Sequence, residues 1–216
     1  MNVFDEGWTW LTTSTQWHGE DGIPHRVLQH LGYTGLTLLI AAVIAVPLGL
    51  WIGHTGRLRG VAVVVSGALR ALPTLGLVTF VVLWRGFGLT PPITALVVLA
   101  IPPLLAGAYA GLEAVDRNTV DAARALGMTE WQILTKVEIP LASRLIIGGF
   151  RSAVLQIIAT ATVAAYPGLG GLGRYLIDGL AVRDYAQMVG GSMVLIVLAL
   201  AFDALFAGVQ RLAPRT

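Results

Sequence analysis

Hydrophobic positions gather in five long runs, approximately Tyr33–Gly53, Val61–Trp84, Pro91–Leu112, Leu145–Tyr166 and Met188–Gly208. Each is near the roughly 20 residues a helix needs to cross about 30 Å of hydrocarbon. The pattern predicts an all-α, polytopic membrane protein with five transmembrane helices in one domain, residues 32–216. Ahead of it, residues 1–31 are polar and hold Trp8, Trp10 and Trp17. Tryptophan favours the membrane–water interface, so this external or interfacial segment is either a short helix lying on the bilayer or a disordered leader. No run within residues 1–32 suits a signal peptide.

Several residues disturb the runs. Arg70 and Pro73 interrupt the second. Proline removes a helix hydrogen bond, so a kink or break is predicted at Pro73, and likewise at Pro102 and Pro103 in the third. Gly107 and Gly111 form a GxxxG pair suited to close helix packing. Arg70 stands about 13 Å along its run, a depth at which it must face protein or water, unless the first half of the run lies at the interface. Asp203, nearer the end of the last run, is expected to pair with an arginine.

Composition supports the bilayer as solvent. Hydrophobic residues make up 56% and charged ones 12%, against about 25% charged in a soluble domain, and mean hydropathy is +0.76. A net charge of +2 without a basic stripe argues against nucleic acid as a partner. The absence of cysteine excludes disulfides and thiolate metal sites. With the N-terminus outside and the C-terminus inside, ten basic residues (Arg57, Arg59, Arg70, Arg117, Arg124, Lys136, Arg144, Arg151, Arg211 and Arg215) fall on the cytoplasmic side. Only Arg26, Arg85, Arg174 and Arg183 fall outside, which favours N-out, C-in.

The long polar stretch on the inner side, residues 113–144, has helical periodicity of its own. Val120, Ala123 and Leu126, then Trp131, Leu134 and Val137, recur at three-residue steps. Gly127 supplies a turn residue tolerant of positive φ, Thr129 a cap, and Pro140 an end before the fourth span. Asp121, Arg124 and Glu130 offer charge. A helix–turn–helix this small buries little core and is expected to dock on a partner.

At these residues the chain resembles the inner-membrane permeases of bacterial binding-protein-dependent ABC importers. Their loop has the form Glu-Ala-Ala, three residues, Gly, nine residues, Ile, any residue, Leu-Pro. Here it reads Asp121-Ala122-Ala123, Gly127, then Val137, Glu138, Ile139-Pro140. The resemblance implies a type I permease fold in the bacterial cytoplasmic (inner) membrane, and a coupling helix seated on a separate ABC ATPase. Asp121, Ala122, Ala123, Arg124, Gly127, Glu130 and Pro140 would be its ATPase-coupling residues. It also implies ATP and Mg held by that ATPase, a second permease copy or paralogue, and an external substrate-binding protein. Leu69–Leu77, Ile101–Leu112 and Gln156–Tyr185 are similar to the osmoprotectant branch, which takes up glycine betaine, choline or carnitine. An amino-acid permease, for example for methionine, is the alternative.

Other chemistry is thin. Gly168–Gly173 fits GxGxxG, but without a strand and βαβ unit it reads as a tight external turn. The sole lysine, Lys136, is not in a Walker A loop, the four histidines make no HExxH pair, and no GxSxG occurs. A catalytic site or bound cofactor is therefore not expected. Ser152, Gln156 and Thr160 share one helix stripe and either line a pathway or hydrogen-bond between helices. Arg70, Pro73 and Tyr166 are further pathway candidates, Tyr166 at an outer gate. Five helices are too few to enclose a solute path alone, so two such halves are expected to meet. An ion-driven secondary transporter is the rival reading, against which stand the absence of a visible internal repeat and the scarcity of buried carboxylates.

Overall fold

The structure is a computed structural model that describes residues 2–213; Arg215, one of the basic residues counted as inner, lies outside them. Its elements are α1 (Val3–Thr12), a 3-10 turn (Ser14–Trp17), α2 (Ile23–Thr55), α3 (Arg59–Arg70), α4 (Thr74–Arg85), α5 (Thr90–Glu113), α6 (Arg117–Ala125), α7 (Glu130–Ile133), a π segment (Leu134–Glu138), α8 (Ile139–Ala164), α9 (Gly173–Val182) and α10 (Tyr185–Leu212). Among the described residues four helices are long and apolar enough to span a membrane: α2, α5, the continuous helix Glu130–Ala164, and α10. The bent pair α3 and α4 makes a fifth if counted as one broken span.

The prolines act differently along the chain, each for a physical reason: the break expected at Pro73 is present. The second run bends by 88° between α3 and α4. Pro73 stands at the N-cap of α4, where its missing N–H removes no helix bond, and the residue before a proline is pushed out of the helical region. By contrast α5 continues through Pro102 and Pro103 as one helix, so neither breaks it. Pro103 leaves the carbonyl of Leu99 without its helical donor, and Gln156 Nε2 of α8 donates to that oxygen at 2.8 Å. Pro140 likewise ends nothing. The π segment just before it widens the helix by one residue per turn, and a wide turn accommodates a residue without an N–H. The hairpin's second arm and the fourth span are thus one helix of 35 residues, about 52 Å at 1.5 Å per residue.

The first long helix begins at Ile23, ten residues ahead of its apolar run, with Pro24 in its first turn. Its polar opening turns are used inside the protein: Gln29 Oε1 accepts from Gly171 N at 3.0 Å, and buried His30 sits 3.1 Å from the Ile158 carbonyl. The loop at Gly168–Gly173 is therefore a turn packed on α2, with φ of +107° at Gly168 and +84° at Gly171. Residues 3–12 are helical. Trp10 packs edge-on against Tyr175, ring centroids 5.1 Å apart, and α1 lies against α10.

The core is the triple contact of α2, α5 and α8, where small residues let backbones touch. A methyl at Gly107 would stand 2.6 Å from the Gly149 Cα, and one at Gly49 2.9 Å from the Leu105 oxygen. Gly111 faces Ala142 and Gly53 faces Leu112 in the same way. This is how membrane helices gain dispersion contact without a hydrophobic driving force between them.

Candidate functional site: the interhelical hairpin

Between α5 and the fourth span the chain folds back as a short hairpin. Asp116 caps α6, its carboxylate accepting from Asn118 N at 3.0 Å. Val120 and Ala123 turn inward and form one apolar cluster with Leu112, Val115, Ile133 and Ala142. The hairpin is thereby seated on the ends of its own spans. Gly127 takes φ +83° at the turn, where a side chain would be strained. Thr129 opens α7 with a reciprocal capping box: its hydroxyl accepts from Gln132 N, and Gln132 Oε1 accepts from Thr129 N.

Leu126 departs from the face its periodicity predicts. It is 85% exposed, and Trp131 is 72% exposed. Leu126 borders a groove of about 500 Å³ that Asn118, Thr119, Ala122, Ala123, Met128 and Val137 also line. Exposed apolar side chains around a shallow groove mark a contact surface. Asp121, Ala122, Arg124, Gly127 and Glu130 lie exposed on this outer side, as does Pro140 further along.

A chain of charge runs beneath. Arg124 donates from Nε and Nη2 to the two Glu130 oxygens at 2.8 and 3.0 Å, and from Nη1 to Asp121 at 2.9 Å. The Glu130 hydrogen bonds hold the Arg124 guanidinium still further above its ordinary value, so it stays charged. Glu130 lies 3.4 Å from Nε2 of His54, at the end of α2, and the Nδ1 of His54 bonds the Glu138 carboxylate. Glu138 is 1% exposed. His54 and Glu138 were not among the candidates from sequence. They are 84 residues apart, and Glu138 occupies the position of the loop pattern that specifies no residue type, so no periodic or motif signal joins them.

The six pathway candidates do not converge on one cavity. Gln156 bonds the Leu99 carbonyl, and the Thr160 hydroxyl donates to the Gln156 carbonyl at 2.8 Å. Ser152, Arg70 and Pro73 are exposed on the isolated chain, and Tyr166 is 64% exposed. Asp203 finds its arginine: Arg151 grips it with two bonds of 2.6 and 2.7 Å. Among the described residues no three acidic, histidine or cysteine side chains group as a metal site.

Residues 45–215 match the family described as binding-protein-dependent transport system inner membrane component. The carnitine transport permease protein OpuCB of Listeria monocytogenes is 31% identical over 188 residues, covering 87% of this chain and 86% of that protein. The osmoprotectant import permease protein OsmW of Salmonella typhimurium is 33% identical over 190 residues, with 84% and 87% covered. Among solved structures, a chain of the inward-facing MetNI methionine ABC transporter superposes with a TM-score of 0.80 at 20% identity, over 89% of this chain and 96% of that one. At that identity the likeness is one of fold.

Proposed function

Because this chain belongs to the binding-protein-dependent transport system inner membrane components, a multi-pass permease family of the bacterial cytoplasmic membrane, we propose that it carries quaternary-ammonium osmoprotectants such as glycine betaine, choline or carnitine inward. The relatives named for carnitine and for osmoprotectants support that substrate class. Fold similarity to a methionine transporter carries no substrate with it.

The observation that carries the mechanism is the unbroken helix from Glu130 to Ala164. Its first turns form one wall of the exposed hairpin, and its remainder is a span at the centre of the bundle. Leu126 and Trp131 seat in a cleft of a separate ATPase, which holds ATP and Mg. When the ATPase pair closes, the hairpin moves, and the stiff helix passes the displacement into α2 and α5. ATP shifts this equilibrium by binding one state better than the other. A second membrane half, a copy or a paralogue, completes the path. An external binding protein delivers the solute to the N-terminal side, with the N-terminus out and the C-terminus in. Arg70, Pro73, Ser152 and Tyr166, exposed on the single chain, are proposed to face that path.

Reconstitution with ATPase and binding protein tests the reading. Betaine, choline or carnitine should stimulate ATP hydrolysis and accumulate in vesicles, whereas stimulation by methionine alone would reject the substrate class. Gly127→Trp should leave insertion intact and uncouple hydrolysis from uptake. Wild-type uptake by that variant counts against the hairpin as the coupling element.

A further inference from the structure

At the hairpin end of the bundle, α8 and α10 part to form a cleft of about 320 Å³ lined by Arg144, Arg151, Ala207, Gln210 and Arg211. Three guanidiniums surround it, and Asp203 is the one carboxylate paired there among the described residues, bound by Arg151. Arg144 and Arg211 have no acidic partner among the described residues, which leaves the cleft with an excess of two positive charges. Its walls are fixed: Gln210 Nε2 donates to the Arg144 carbonyl at 2.9 Å, and Gly148 leaves room for that crossing. Arg151 lies seven residues beyond Arg144 on α8, about 10 Å deeper.

The surroundings of the cleft are apolar. Ile196, Leu200, Ala204, Ala207 and Arg211 recur at helical spacing on one face of α10. Ile196 and Leu200 are 56% and 63% exposed, and no part of the apolar window of α10 is buried within the chain. A cationic mouth at the end of a span therefore opens onto an apolar strip running into the membrane. A ligand matching both parts has an anionic head and a hydrocarbon tail.

We propose that this cleft binds an anionic phospholipid, its phosphate between Arg144 and Arg211 and one acyl chain along Ile196, Leu200 and Ala204. Basic pockets between membrane helices are suited to such headgroups. Inorganic phosphate shares the headgroup chemistry but has nothing to place against the strip. The inference rests on the membrane-spanning reading alone and is independent of which solute is carried.

Native mass spectrometry of the full chain, purified in detergent and titrated with phosphatidylglycerol or phosphatidylcholine, tests it. Phosphatidylglycerol should remain bound at activation energies that strip phosphatidylcholine. The R144Q/R211Q variant should lose affinity on the order of 30-fold, the effect of two charges at typical lipid-surface strength, while R144K/R211K retains most of it. Arg151 is left in place because its removal would strand Asp203. Equal retention of the two lipids, or equal binding by the glutamine variant, overturns the proposal. Displacement by inorganic phosphate assigns the cleft to a free anion and overturns the lipid. Should the double variant not fold, R211Q alone, in the last turn of α10, is held to a reduction in the same assay. L200C and A204C, made singly in a chain whose sequence has no cysteine, report whether a second copy covers this face. Efficient cross-linking between copies there would give the strip to a second chain and overturn the lipid site.

Discussion

The bundle centre and the hairpin attached to it are held together by opposite means. Where α2, α5 and α8 meet, glycine and alanine bring backbones into contact, and among the described residues no ion pair joins these helices there. In the hairpin, Asp121, Arg124, Glu130, His54 and Glu138 form a line of charge from the surface to a buried carboxylate. Close packing is short-ranged and tolerates one arrangement, so it makes a stiff body. Hydrogen-bonded charges keep much of their attraction over small displacements, so they make a joint. A helix continuous through both regions connects joint to body.

The largest effect is expected where the contact is tightest. Gly107→Leu puts a side chain where even a methyl meets the Gly149 backbone at 2.6 Å. Neither helix has a flexible atom to move aside, so destabilisation should exceed about 3 kcal/mol. Size-exclusion profiles and melting in detergent should show loss of folded protein. A folded, monodisperse variant would mean that the bundle is less rigid than its packing implies.

The joint should fail differently. His54→Ala leaves the buried Glu138 carboxylate without its partner, a loss of about 2–3 kcal/mol. The double variant His54→Ala/Glu138→Leu should regain most of that stability. It should not regain solute uptake per ATP, because the tie between α2 and the hairpin is gone. Melting temperature and coupled uptake, measured on both variants, separate fastening from mere packing. Recovery of both together would make the pair a packing element.

The two regions were also unequally legible in the sequence. Long apolar runs announce spans, and Gly127 with Thr129 announces a turn and a cap, because each is a local requirement of the backbone. Pro140 misled, since the π turn that accommodates it leaves no compositional trace. The opening of α2 was missed because His25, Arg26, Gln29 and His30 fall in the polar stretch that reads as an interfacial helix or a disordered leader. Gln29 and His30 find partners on the Gly168–Gly173 turn and on α8, which no local pattern announces. The His54–Glu138 tie was illegible for the same reason: it exists only after distant helices have packed.

A smaller effect tests whether the body depends on any polar bond. Gln156→Leu strands the Leu99 carbonyl that Pro103 freed. The expected loss is about 1 kcal/mol, the usual net worth of such a bond, read as a modest fall in melting temperature with coupling unchanged. A large fall in uptake at unchanged melting temperature would instead give Gln156 a part in the solute path.

The smallest stability effect is expected at the outer end of the charge line. Arg124 and both its acidic partners are exposed, and exposed pairs of this kind add little to stability. Arg124→Gln should therefore leave the melting temperature unchanged. It should nonetheless loosen α6 from α7, because Arg124 joins Asp121 to Glu130. Uptake per ATP should fall in this variant, and the wild-type protein should approach the same value as salt is raised to about 1 M, where screening acts within about 3 Å. The variant itself should be nearly insensitive to salt. Equal salt dependence of the two proteins would show that the hairpin is aligned by its apolar seat, and the contrast between a packed body and a charged joint would then be one of composition without mechanical consequence.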